Sequence, residues 1–340
     1  MNDREQTMSQ SLFLRHLARH APRVAVSRLR RGPGRPTWSF GFELFTAALR
    51  DTSFDIAQLD WPAQRNAFDD LGNPGASPFR RVARAETVLG GVPTTLFVPK
   101  DLGVVGSPGE PVTLLYLHGG AYIFGSMRSH GELISRLALA TPARTLAPTY
   151  RLAPEYPFPA AIDDVLAAYR ALLANRVDPR RLVIAGDSAG GGLAMALLLR
   201  LRASGEPLPA GAALICPWVD LTAEGGSLTH NEAFDWGNAA IGRRWKAAYL
   251  AGHDPRDPLA SPVFADLRGL PPLLVQVGDA ELLHDQATTF ARRAKEAGVD
   301  VRLAVEPDMV HDWHSFAGVF PRCARSIDDI GAFVRSVVAV

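Results

Sequence analysis

Cysteine is nearly missing from this chain: among 340 residues there are two, Cys216 and Cys323. Two distant thiols build neither a disulfide framework nor a cysteine-based metal site, so both read as buried thiols. An excess of charge of one sign is also missing, because 36 basic residues face 35 acidic ones for a net charge of +1. That balance gives no footing for nucleic acid or for an acidic membrane surface. No apolar run is long enough to span a bilayer. Arg4, Glu5, Arg15 and Arg19 fall where a signal peptide needs an apolar stretch. The expectation is a soluble, cytoplasmic protein. Arginine greatly outnumbers lysine, which reads as codon usage, and there is no internal repeat or low-complexity segment.

What is present fits one large α/β domain with a lid, or two domains: 340 residues, 47% of them hydrophobic. Residues 1–80 carry few strand signals. They offer helix candidates at 11–17 and 38–49 around a basic, Gly/Pro-broken loop at 30–36, whose arginines read as a solvated turn. From about residue 81, strands and helices alternate. Strand patterns fall at 94–98, 112–117, 144–149, 182–184, 212–216, 273–277 and 301–305. Helical patterns fall at 132–140, 160–174, 192–199, 285–297 and 326–338. Residues 217–270 break the alternation with Gly225-Gly226, three tryptophans and a helical stretch near 243–250, which reads as an inserted lid segment. Alternation predicts a mostly parallel sheet with helices on both faces, and ligands outside the carboxyl ends of its strands.

The stretch Ala185-Gly186-Asp187-Ser188-Ala189-Gly190-Gly191 lies between an apolar strand and a wholly apolar helix. Gly-x-Ser-x-Gly in that setting is a nucleophile elbow, a turn so tight that the serine is strained and Gly186 and Gly190 have no room for side chains. It presents a hydroxyl at a sheet end, with a helix N-terminus aimed at developing negative charge.

A serine needs a base, usually a histidine held by a carboxylate, and on this scaffold the chain order is serine, acid, histidine. Only His311 and His314 closely follow a strand after the elbow, and His311 lies in the loop before the last helix. His314 reads as a pocket-wall or helix-start residue. Asp279, Glu281 and Asp285 follow the 273–277 strand, and residue pattern does not separate them. His118-Gly119-Gly120-Ala121 follows the 112–117 strand, where glycines let backbone N–H groups approach a substrate oxygen. The Ala189 N–H completes that set.

Together, His118-Gly119-Gly120, Tyr150-Arg151-Leu152-Ala153-Pro154-Glu155-Tyr156-Pro157-Phe158-Pro159-Ala160-Ala161, Gly186-Asp187-Ser188-Ala189-Gly190-Gly191 and Leu270-Pro271-Pro272 resemble the bacterial hormone-sensitive-lipase-like esterases of the α/β-hydrolase fold. The resemblance covers about residues 85–335. It implies an eight-stranded, mostly parallel sheet under a helical cap, with residues 1–80 as cap, 81–340 as catalytic domain and 217–270 as a second cap segment. It implies Glu281 as the acid, where relatives often have Asp in Asp-Pro-Leu-x-Asp, with Asp285 in reserve. Gly119, Gly120 and Ala189 form the implied oxyanion hole, and Ala121 stands where many members have a third glycine.

The implied activity is serine carboxylesterase on short- to medium-chain small-molecule esters, without metal or organic cofactor. The family often dimerises through its last strand and helix. Tyr122, Phe124, Trp218, Trp236 and Trp313 are candidate pocket walls. An amidase, deacetylase or dehydratase on the same scaffold is the alternative; a non-catalytic receptor is disfavoured by His311, and a lipase acting on emulsified fat by the lack of a long apolar lid. Because His311 must be neutral to act, activity is expected to fall below roughly pH 6 to 7.

Overall fold

The computed structural model describes residues 3–72, 78–102 and 112–338. Three helices open the chain: α1 (Asp3–Arg31), α2 (Phe40–Ile56) and α3 (Trp61–Leu71). The sheet and its helices follow as β1 (Val82–Leu89), β2 (Val92–Pro99), β3 (Val112–Leu117), α4 (Met127–Ala140), β4 (Ala143–Pro148), α5 (Ala160–Ala174), β5 (Leu182–Asp187), α6 (Ala189–Ala203) and β6 (Gly211–Ile215). After the insertion helices α7 (Ser227–His230) and α8 (Ala239–Leu250) come β7 (Leu273–Gly278), α9 (His284–Glu296), β8 (Val301–Glu306) and α10 (Arg325–Val338).

The eight strands form one sheet in the order β1-β2-β4-β3-β5-β6-β7-β8. β1 with β2 and β2 with β4 are antiparallel, and the remaining pairs are parallel. Both faces are covered, and alternate side chains of β3 divide between them. Leu115 and Leu117 join a core built with α5, α6 and α9, while Leu114 and Tyr116 join one built with α4 and α10. β5 lies inside the sheet between β3 and β6 and is buried along its whole length. α6 is buried from Ala189 to Leu199, as a helix apolar on every side must be.

Several elements differ from the sequence expectation. The 11–17 candidate is part of the longer α1, which runs through Pro22. α3 was not anticipated, and it is well started: the Asp60 side chain accepts from the Ala63 N–H, with proline in the first turn. β1 was not anticipated because six consecutive residues of this edge strand are exposed, which erases the two-residue period.

The basic loop is not simply a solvated turn. Arg35 donates to Asp279 Oδ1 at 2.6 Å and to Asp308 Oδ1 at 3.0 Å, and the Thr37 N–H donates to Asp308 Oδ2 at 2.8 Å. These contacts fasten the opening helices to the loops that follow β7 and β8. Arg35→Ala should therefore lower stability by about 1–2 kcal/mol, less than for fully buried charged bonds because Asp279 is well exposed. Urea unfolding checks this through a lowered midpoint at unchanged slope.

Candidate active site

Ser188 separates β5 from α6 with φ +52° and ψ −118°. The turn is held by its own backbone: the Ser188 N–H donates to Ile215 O at 2.8 Å, and Ser188 O accepts from the Trp218 N–H at 2.9 Å. A Cβ on Gly186 would strike the Gly190 carbonyl, and one on Gly190 would strike the Leu117 carbonyl. The two glycines are thus required by backbone packed against backbone.

The structure brings His311 to this hydroxyl. His311 Nε2 lies 2.9 Å from Ser188 Oγ, and His311 Nδ1 lies 3.2 Å from Glu281 Oε1. Glu281 is fully buried, and its second oxygen accepts the Gly278 N–H at 2.9 Å. The other acids face elsewhere. Asp279 takes Arg35 and the Asp308 N–H, while Asp285 accepts the Ser227 N–H at 2.8 Å and pairs with His284. His314 is buried against Gln276 Oε1 at 2.8 Å, and burial pushes its pKa down to about 3, so it stays neutral.

The 217–270 insertion does more than cover the site. The two oxygens of Asp235, fully buried, accept the Leu282 N–H at 2.8 Å and the His311 N–H at 3.0 Å. Trp236 Nε1 donates to His311 O at 2.7 Å, and Asn231 Nδ2 donates to the carbonyls of Asp279 and Glu281. Asp235 and its neighbours therefore hold the acid loop and the histidine loop at fixed separation. Sequence reasoning passed over Asp235 and Asn231 and read Trp236 only as a pocket wall, since their contacts here are to backbone groups more than forty residues away.

Of the three oxyanion donors expected from sequence, Gly119 needs correction. Its N–H donates to Asp187 Oδ1 at 2.9 Å and is already engaged. The same oxygen accepts the Tyr116 hydroxyl, and Asp187 Oδ2 lies 3.3 Å from His130 Nε2. Gly119 is therefore the anchor of the loop, and a Cβ there would land on the Asp187 carboxylate. Gly120 (φ +109°) and Ala121 (φ +53°) carry the loop around to border the cavity, and Ala189 opens α6 beside Ser188. Behind them, Tyr150 stacks on His118 with ring centroids 4.3 Å apart and donates to His118 O at 2.6 Å. Burial pushes His118 down to about 4, leaving a neutral ring.

Above Ser188 lies a cavity of about 470 Å³. Phe124, Trp218 and Trp236 line it as expected, joined by Leu49, Ser53, Phe68 and Leu71 from the opening helices and by Trp245 from α8. Tyr122 and Trp313 do not. Tyr122 is buried in the core, its ring 3.7 Å from that of Tyr249, and Trp313 Nε1 points away to donate to Ser326 Oγ at 3.0 Å.

Charge is concentrated around the imidazole. Burial alone would lower the His311 pKa, but Asp312, Glu281 and Asp235 outweigh it and raise it to about 10. Asp312 Oδ2 lies 3.2 Å from His311 Nε2, on the serine side of the ring. Burial raises the Asp312 carboxyl as well, so the two groups together hold a proton tightly. Asp187 is an ion-paired carboxylate: burial would raise its pKa, and His130 and Tyr116 bring it below the usual range.

The arrangement of sheet and elbow is that of an α/β hydrolase, and known proteins agree. The alpha/beta hydrolase fold family matches residues 114–315. An acetyl-hydrolase of Streptomyces hygroscopicus is 51% identical over 225 residues, covering 66% of this chain and 75% of that protein. An esterase of Acinetobacter venetianus is 38% identical over 226 residues, covering 66% and 75%. Among solved structures, an esterase from the bacterial hormone-sensitive lipase family is 41% identical with a TM-score of 0.76, covering 85% of this chain and 98% of its own. A hormone-sensitive lipase from a metagenome library is 37% identical with a TM-score of 0.79, covering 86% and 98%. The chain belongs to the α/β-hydrolase fold family, among its bacterial hormone-sensitive-lipase-like esterases.

The proton held between His311 and Asp312 sets the pH behaviour. A base must be unprotonated to act, so a raised imidazole pKa moves the onset of activity upward in pH. The acidic limb of kcat/KM should lie above the ordinary imidazole value of about 6.5, not at it. Asp312→Asn removes the carboxylate facing Nε2 and should shift that limb down by about 1 unit or more. A pH–rate profile of both proteins checks the direction.

Proposed function

We propose that ester hydrolysis by this carboxylesterase runs through Ser188, His311 and Glu281. The observation that carries the reading is the continuous relay from Ser188 Oγ through His311 to Glu281, with contacts of 2.9 and 3.2 Å. His311 takes the Ser188 proton as Oγ attacks the ester carbonyl. The N–H groups of Gly120, Ala121 and Ala189 receive the oxyanion, and Glu281 orients the imidazole and stabilises its charged form. The alcohol leaves with the proton from His311. His311 then deprotonates a water that hydrolyses the acyl-serine, releasing the carboxylic acid and restoring Ser188. The chain's own groups supply nucleophile, base and electrophilic stabilisation, so no metal or cofactor is required by these steps.

The substrate in this reading is a small ester with a short to medium acyl chain. The relatives described as an acetyl-hydrolase and an esterase support it, as does an apolar cavity of about 470 Å³ bordered by Trp218, Trp236 and Trp245. Residues 1–80 and 217–270 together act as the cap, since both contribute lining side chains. The exposed Val305 on the edge strand β8 supports a homodimer formed through β8 and α10, and two free buried thiols, Cys216 and Cys323, support a cytoplasmic location.

A p-nitrophenyl ester series of rising acyl length tests the reading. Turnover should be best for short to medium chains and fall for long ones, and Ser188→Ala should lose at least about 10⁴-fold in kcat. Retained turnover in Ser188→Ala, or failure of an organophosphate to label Ser188, sinks it.

A further inference from the structure

Away from Ser188, the first two of the opening helices bring together a group of side chains that the hydrolytic reaction does not use. His16 and His20 stand four residues apart on α1, and Asp51 and Asp55 stand four apart on the facing α2. That spacing puts each pair on one helix face. His20 Nε2 lies 2.8 Å from Asp51 Oδ2, His16 Nδ1 lies 3.7 Å from the same oxygen, and His16 Nε2 lies 2.9 Å from Asp55 Oδ2. Ligand atoms of His16, His20 and Asp51 all lie within 4.8 Å of one another.

The decisive atom is His16 Nδ1. His16 is only 5% exposed, and this nitrogen is buried without a hydrogen-bond partner among the described residues. If Nε2–H donates to Asp55, the neutral ring turns a bare lone pair toward the Asp51 carboxylate. Lone pair against carboxylate is unfavourable, and either a proton on Nδ1 or a metal cation between the two relieves it. The arrangement is also the one that metal sites use: a ligating imidazole whose other nitrogen is fixed by a carboxylate. A four-coordinate zinc with bonds of about 2.0–2.1 Å needs ligand atoms roughly 3.3 Å apart. The contacts of 2.8 and 3.7 Å straddle that edge. Arg19 also reaches Asp51, at 3.8 Å, but its side chain is 56% exposed and can swing into solvent.

We propose that His16 Nδ1, His20 Nε2 and Asp51 form a site for a divalent transition metal of the zinc class, with Asp55 orienting His16 and water completing the coordination. The metal staples α1 to α2. It is separate from the hydrolytic residues, so the proposal does not depend on them. Imidazole and carboxylate ligands suit zinc, cobalt or nickel better than magnesium or calcium.

The test uses the full chain stripped with a chelator and titrated with Co²⁺, followed by displacement with Zn²⁺. One equivalent of Co²⁺ should bind with the visible spectrum of a four-coordinate nitrogen/oxygen site, and Zn²⁺ should raise the thermal midpoint. His20→Gln should lose both effects while keeping the far-ultraviolet dichroism and esterase activity of the parent. Asp55→Asn should weaken binding by about 10–100-fold, the cost of losing the partner of a ligating histidine. Cys216, His311 and Asp312 form a second potential ligand group, at the active site, so Cys216→Ser is measured alongside. Absence of binding at submillimolar metal overturns the proposal. So does binding that survives His20→Gln, including binding lost only in Cys216→Ser.

Discussion

Ser188 holds a backbone conformation that a side-chain-bearing residue adopts only when its surroundings insist, at a cost of order 1–3 kcal/mol. The surroundings that insist are mainly backbone. Ile215 O on β6 takes its N–H, Trp218 N–H takes its carbonyl, and the carbonyls of Gly190 and Leu117 crowd the two glycines so closely that only hydrogen fits. β5 lies between β3 and β6, so the turn is clamped by both neighbours in the sheet. This geometry decides where every other part must be. The 118–121 loop follows β3 on one side of β5, and the loops of Glu281 and His311 follow β7 and β8 on the other.

A strained serine is useful only if its partners are equally fixed, and here the supports come from segments outside the alternating α/β pattern. Asp235 bonds one backbone N–H from each partner loop, Leu282 and His311, and Trp236 bonds the carbonyl of His311. Arg50 on α2 donates to Asp235 O at 2.6 Å. Arg35 spans the loops after β7 and β8 from outside. These segments thus brace the site as well as lining its cavity. This physical link lets a change in them reach the position of His311 without touching a bound molecule.

The sheet was legible because its buried strands and helices carry strong periods, and the elbow because glycines are forced there by contact. Ser188 and His311 could be found from strand ends and chain order alone. Glu281 could not be separated from Asp279 and Asp285 by residue pattern; the resemblance pointed to it, and only coordinates give each acid its partner. Gly119 was misassigned because sequence cannot tell a backbone N–H that faces a cavity from one held by the side chain of Asp187. Tyr122 and Trp313 were misplaced because an aromatic beside a motif looks the same whether it borders a cavity or fills the core. Asp235 and the His16–Asp51 group were invisible for a related reason: each matters through a neighbour distant in sequence.

Four buried carboxyl groups, Asp187, Asp235, Glu281 and Asp312, crowd one end of the sheet. Four uncompensated charges in so little water would be prohibitive, and each is compensated differently. Asp187 keeps its charge against His130, the Tyr116 hydroxyl and the Gly119 N–H. Asp235 accepts three backbone N–H groups, and burial still lifts its pKa. Glu281 faces the imidazole with one oxygen and the Gly278 N–H with the other. Asp312 has the weakest support: among the described residues its Oδ1 is buried without a hydrogen-bond partner, and its Oδ2 lies 3.2 Å from the histidine nitrogen turned toward Ser188. It is therefore the least compensated of the four, and it shares a proton with the imidazole it faces, whereas Glu281 on the opposite side of the ring is held by a backbone N–H. The two acids flanking the ring are thus unequal in kind.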